Sequence, residues 1–149
     1  MQIKQQLMIG LKAGFVMGIS LFITGAIAAY IFYGPAMAPA GKFEADQMNP
    51  LYFIWTKLAI GIVFGIFFVV LYERLPLHHR IKGIADGVKY ASVLWLAISL
   101  WNLSHPFVYE FHKTNWYNEL FWHIYTLGGF LGYGITVGYL YRKVVSDLT

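Results

Sequence analysis

Residues 84–106 read IADGVKYASVLWLAISLWNLSHP. The stretch enters on charge at Asp86 and Lys89, runs through an apolar span with Trp95 at its middle, and ends on Asn102, Ser104, His105 and Pro106. At about 1.5 Å per residue, some twenty residues cross the roughly 30 Å hydrocarbon core of a bilayer. The stretch therefore predicts a transmembrane helix with polar groups gathered at one end.

Three further apolar runs of similar length surround it, giving expected helices at about 7–33, 51–72, 84–105 and 119–141. The five prolines fall between these runs or at their ends, where a residue without an amide hydrogen does least harm to a helix ladder. Charged residues make up 12% of the chain, about half the share in soluble domains, and hydrophobic residues 58%. Residues 1–149 are accordingly read as one transmembrane domain. The expected fold is all-α, an integral membrane bundle of four antiparallel helices.

The net charge of +4 comes from 11 Lys and Arg against 7 Asp and Glu. With four crossings, Lys4, Lys12, Arg74, Arg80, Lys82, Lys89, Arg142 and Lys143 share one side, and only Lys42, Lys57 and Lys113 fall towards the other. Basic residues concentrate in cytoplasmic loops, so both termini are expected to be cytoplasmic, in a bacterial inner membrane. The same placement argues against a nucleic-acid partner, which needs a basic stripe interleaved with stacking aromatics. Ala38-Pro39-Ala40 after the first apolar run superficially resembles a signal-peptide cleavage site. That run, Ala13–Tyr33, is long for a signal peptide, and an uncleaved first helix is the expectation. With no cysteine in the chain, thiol chemistry and cysteine-ligated metals are excluded.

Small residues recur at four-residue spacing in three of the spans. Gly10, Gly14 and Gly18 mark the first, Gly61 and Gly65 the second, and Gly128/Gly132 with Gly134/Gly138 the fourth. Residues four apart share a helix face, so these glycines predict helix-packing surfaces, within the chain or against another subunit.

Candidate chemistry lies at the outer mouth. His105 at the end of the third helix and His123 about one turn into the fourth are expected at matching depth. Two such imidazoles could ligate a metal or take the axial positions of a haem. Glu119 shares a face with His123, and His112 and Glu110 lie close by in sequence. Trp101 and Trp122 could wall a cleft for a haem, quinone or other flat ligand, although an interfacial aromatic belt accounts for tryptophans at this depth as well. Each histidine also has a structural reading, His105 bonding carbonyls freed by Pro106 and His123 bonding across the bundle. The adjacent pair His78-His79 sits in a short basic loop and reads as solvated.

No charged residue falls near the middle of a span, which disfavours ion pumping and proton-coupled transport. Lys57, near the outer end of the second helix, is expected to snorkel to the headgroups. The sequence leans away from an enzyme. The leading expectation is a non-enzymatic membrane protein that self-assembles, or stabilises other membrane subunits, through its glycine faces within the lipid bilayer. The alternatives are an outer-facing redox protein that binds a metal, haem or quinone, and a small channel or carrier for a neutral or lipid-like molecule.

Overall fold

The computed structural model describes residues 2–33, 50–74, 81–109 and 116–146; within them the side chains of 33, 50, 53, 102–109, 116–118, 145 and 146 stand outside the description. The described residues form a bundle of four helices: α1 (Ile3–Tyr33), α2 (Pro50–Arg74), α3 (Ile84–Tyr109) and α4 (Trp116–Ser146). Three of them are long and apolar enough to cross a membrane: α1, α2 and α3. The fourth expected crossing, α4, is not among these. Five glycines, several tyrosines, Glu119 and His123 dilute its apolar content.

Most helices run past the apolar limits read from sequence, and local capping shows why. Helix α1 starts at Ile3 rather than about residue 7, because the Gln2 carbonyl accepts from the Gln5 and Gln6 amides at 3.0 and 3.1 Å. The Gln5 side chain reaches back to the Gln2 amide at 3.2 Å, which satisfies a donor that a helix start otherwise leaves open. Helix α3 begins behind Gly83, whose carbonyl accepts from the Gly87 amide at 3.0 Å. There the Asp86 carboxylate accepts from the Lys82 amide at 3.1 Å, a side-chain cap at the helix start. The same helix continues through Pro106 to Tyr109, whereas the sequence suggested a break before the proline. A proline in the last turn forfeits one ladder hydrogen bond without ending the helix.

Three helix pairs pack along their lengths: α1 with α2, α1 with α4, and α3 with α4. The α1–α2 seam is closed by glycines. A Cβ at Gly10 would lie 2.6 Å from Ile66 Cα, one at Gly14 2.5 Å from the Gly61 carbonyl oxygen, and one at Gly18 2.8 Å from Leu58 Cα. Partner numbers fall as those on α1 rise, so these two helices run in opposite directions. On α3–α4 the pattern recurs, with a Cβ at Gly134 2.7 Å from Ala91 Cβ and one at Gly138 2.5 Å from the Gly83 carbonyl oxygen. Between α1 and α4 the fit is glycine against side chain: Gly128 meets Thr24, Gly129 meets Leu21 and Gly132 meets Ser20. Thr24 Oγ1 lies 2.7 Å from the Ser20 carbonyl and 3.0 Å from the Tyr125 carbonyl, and so ties α1 to α4.

The end of the bundle that carries both termini is joined by tyrosines. The Tyr90 hydroxyl donates to the Phe68 carbonyl at 2.7 Å, and the Tyr72 hydroxyl accepts from the Ile81 amide at 2.6 Å. The Tyr141 hydroxyl donates to the Glu73 carboxylate at 2.7 Å. Rings of Tyr72, Tyr90 and Tyr141 meet edge to face at 5.1 and 5.4 Å, and Phe68 lies 5.7 Å from Phe130 and 5.8 Å from Tyr133. These contacts bring α2 to α3 and α4 through side chains. The core cluster includes Met17, Phe68, Val69, Tyr133 and Val137, all buried.

Candidate functional site

The end opposite the termini was the expected site of chemistry, and the structure corrects that expectation. Glu119 and His123 both lie on α4 and are half-buried. Among the described residues, however, no group of three or more His, Cys, Asp or Glu side chains is placed to hold a metal ion. The metal or haem site expected from His105, Glu119, His123 and His112 is therefore not supported. His112, His78, His79 and Glu110 lie outside the described residues, as does the side chain of His105, whose backbone belongs to α3. Matching depth was the whole basis of the expected pairing, and depth does not decide which sides of two helices face each other.

His123 serves instead as a backbone acceptor. Trp95, midway along α3, points its indole N–H at the His123 carbonyl (3.3 Å) and at Thr126 Oγ1 (3.2 Å). Thr126 lies 2.9 Å from the Trp122 carbonyl, so its hydroxyl hydrogen is directed back into its own helix while the oxygen receives the indole. The result is a polar strut across an apolar interface, where a tryptophan N–H needs a partner to be buried cheaply. The imidazole Nε2 of His123 is buried and, among the described residues, has no hydrogen-bond partner; the hydroxyls of Tyr125 and Tyr133 share that condition.

Lys57 departs most from its expected role. It sits seven residues into α2, roughly 10 Å along the axis from Pro50. It crosses to α4, where Nζ lies 4.9 Å from the Tyr125 ring centroid and 5.9 Å from that of Trp122. An aromatic face offers a partly desolvated cation a negative partner, and within a membrane that is worth more than in water. Tyr125 in turn lies against α1, where a Cβ at Gly25 would touch its ring at 2.6 Å. One tyrosine thus links α1, α2 and α4.

Trp101 and Trp122 are both exposed, at 70% and 45%. Trp122 contacts Phe121 and Tyr125 edge to face, at 5.4 Å in each case, as part of an aromatic group that also takes in Phe32. Sequence reading missed two residues here. Trp95 had a signal, since it is the one tryptophan placed mid-span rather than towards an end. Lys57 had one too, a cation inside an apolar run, but its destination depends on which helix neighbours α2.

Comparison with known protein families, with characterised proteins and with solved structures finds no match.

Proposed function

We propose that the protein is a non-enzymatic polytopic membrane protein that joins a larger membrane assembly, and that the joining face is the outward side of α3. The observation that carries this reading is a mismatch between composition and cover. A bundle alone in lipid does best with its most apolar helices outward and its less apolar ones inside. Helix α4 follows that rule, packed between α1 and α3. Helix α3 does not. Of the three candidate spans it is the least apolar, yet within its most apolar 18 residues, Ile84–Trp101, it buries the smallest share, 17% against 28% for the corresponding stretch of α1 and 22% for that of α2. Its exposed residues include Ala85, Lys89, Val93 and Ala97, at four-residue spacing on one face. Ala85 and Ala97 leave room for a second helix at either end of that stripe, with the larger Lys89 and Val93 between them.

This moves the assembly surface away from the glycines. Those of α1, α2 and α4 meet other helices of the same chain, so substituting them would test the bundle rather than the assembly. The simplest partner is a second copy of the chain, α3 against α3 about a two-fold axis. The basic residues Lys4, Lys82, Lys89, Arg142 and Lys143, clustered at the end where both termini lie, support a cytoplasmic position for that end, in a bacterial inner membrane.

Because the chain has no cysteine, single-cysteine variants report cleanly. Val93→Cys and Ala97→Cys in isolated membranes should cross-link with a short bismaleimide to a product of twice the 17.0 kDa chain mass, or to one carrying another subunit. Ile27→Cys, on the exposed face of α1, should not. No product from either α3 position, or equal yield from Ile27→Cys, would overturn the reading.

A further inference from the structure

We infer that the flank of the α1–α2 seam is a seat for one anionic phospholipid, its phosphate at Lys12 and an acyl chain laid along Phe15, Val16 and Ile62. A groove of about 410 Å³ opens there, lined by Leu11, Lys12, Phe15, Val16 and Ile62. Four of its lining residues stand on α1 and Ile62 on α2, beside the place where Gly14 and Gly61 bring the two backbones together.

The lining is almost wholly apolar, and Lys12, the one basic residue in it, contributes its methylene stem. Lys12 is exposed, and it ends the uncharged run Ala13–Tyr33, whose 21 residues span roughly 31 Å, about one hydrocarbon thickness. Its ammonium therefore belongs at headgroup level, with the groove running from it into the acyl region. That is the shape of a lipid, a charged head over an apolar tail. The sign is set by charge. The lining contains no carboxylate, and the two described acidic side chains at this end of the bundle are engaged elsewhere, Glu73 by the Tyr141 hydroxyl and Asp86 by the Lys82 amide. Lys4, Arg74, Lys82, Lys89, Arg142 and Lys143 at the same end add to a field that favours anionic over zwitterionic headgroups.

The test is native mass spectrometry of the protein ejected from lipid discs of equal parts phosphatidylglycerol and phosphatidylcholine. The lipid retained on the wild-type chain should be enriched about fivefold in phosphatidylglycerol, the preference expected of one lysine at an anionic surface. Lys12→Gln, a change at an exposed position, should lower that enrichment, leaving only the weaker bias of the other basic residues at this end. Lys4→Gln, which alters the same basic end outside the groove, should keep the enrichment. Phe15→Ala should lower the amount of lipid retained without changing its headgroup ratio. Undiminished enrichment in Lys12→Gln would overturn the inference. So would a wild-type chain that retains no lipid, or a second chain in place of the lipid that is lost on Phe15→Ala.

Discussion

Replacing Gly14 by alanine puts one methyl group where the α1–α2 seam has no room. The new Cβ would lie 2.5 Å from the Gly61 carbonyl oxygen and 2.7 Å from Ile62 Cα, whereas ordinary van der Waals contact begins at 3.4 Å. The clash is with backbone, so no side chain can turn aside, and the helices must part locally by about 0.9 Å. A gap of that size forfeits a quarter to a half of the dispersion attraction across the seam. Overpacking of this kind costs about 1–3 kcal/mol. Alanine returns up to about 1 kcal/mol through its higher helix propensity. The expected net loss is about 1–2 kcal/mol. Gly61→Ala meets the same gap from the other side, with its Cβ 2.5 Å from the Gly14 carbonyl oxygen. The double variant should therefore cost less than the sum of the singles, because the first methyl already opens the seam. Gly83→Ser is the control: nothing lies within 4 Å of a Cβ there, and serine suits the start of a helix, so stability should hold or rise slightly. Reversible unfolding in mild detergent, followed by circular dichroism, reads all four variants. If Gly14→Ala and Gly61→Ala unfold at the wild-type midpoint, the seam is not closed by glycine contact and the reasoning fails.

Three further perturbations probe the polar and aromatic contacts. Trp95→Phe removes the indole donor to the His123 carbonyl and Thr126, and should cost about 1 kcal/mol in the same assay while leaving Thr126 bonded within its own helix. Tyr141→Phe leaves the Glu73 carboxylate without its 2.7 Å donor, and should cost about 1.5–3 kcal/mol, as for other bonds to a charged group. Lys57→Met keeps the length and apolar stem but loses the cation over Tyr125 and Trp122. It should cost about 0.5–2 kcal/mol and alter tryptophan emission, with an unchanged spectrum arguing against the contact.

What the sequence made legible was the long apolar stretch of α1, α2 and α3, because runs such as Ala13–Tyr33 answer to the thickness of a bilayer alone. The helix ends were less legible, because they answer to backbone hydrogen bonding. Gln2 and Gln5 start α1 in a polar stretch that hydropathy leaves out, and Pro106 sits inside the last turn of α3. Helix α4 was drawn as a fourth span on apolar runs that its glycines and tyrosines dilute. For the candidate site the limit was neighbour order. Depth along a helix follows from counting residues, so His105 and His123 could be put at one level, but which sides face each other is set by seams such as Gly134 and Gly138 against α3. The destination of the Lys57 ammonium was hidden for the same reason, since nothing local to α2 places Tyr125 beside it. The outward face of α3 came into view only once its cover could be weighed against its composition.

The most direct measurement is the mass of the assembly released from its own membrane in polymer discs, without detergent exchange. An assembly joined through α3 predicts a mass above the 17.0 kDa of one chain, as a multiple or with added subunits, that falls to the single chain on Val93→Trp and holds on Ile27→Trp. A wild-type mass of one chain with lipid alone would contradict it.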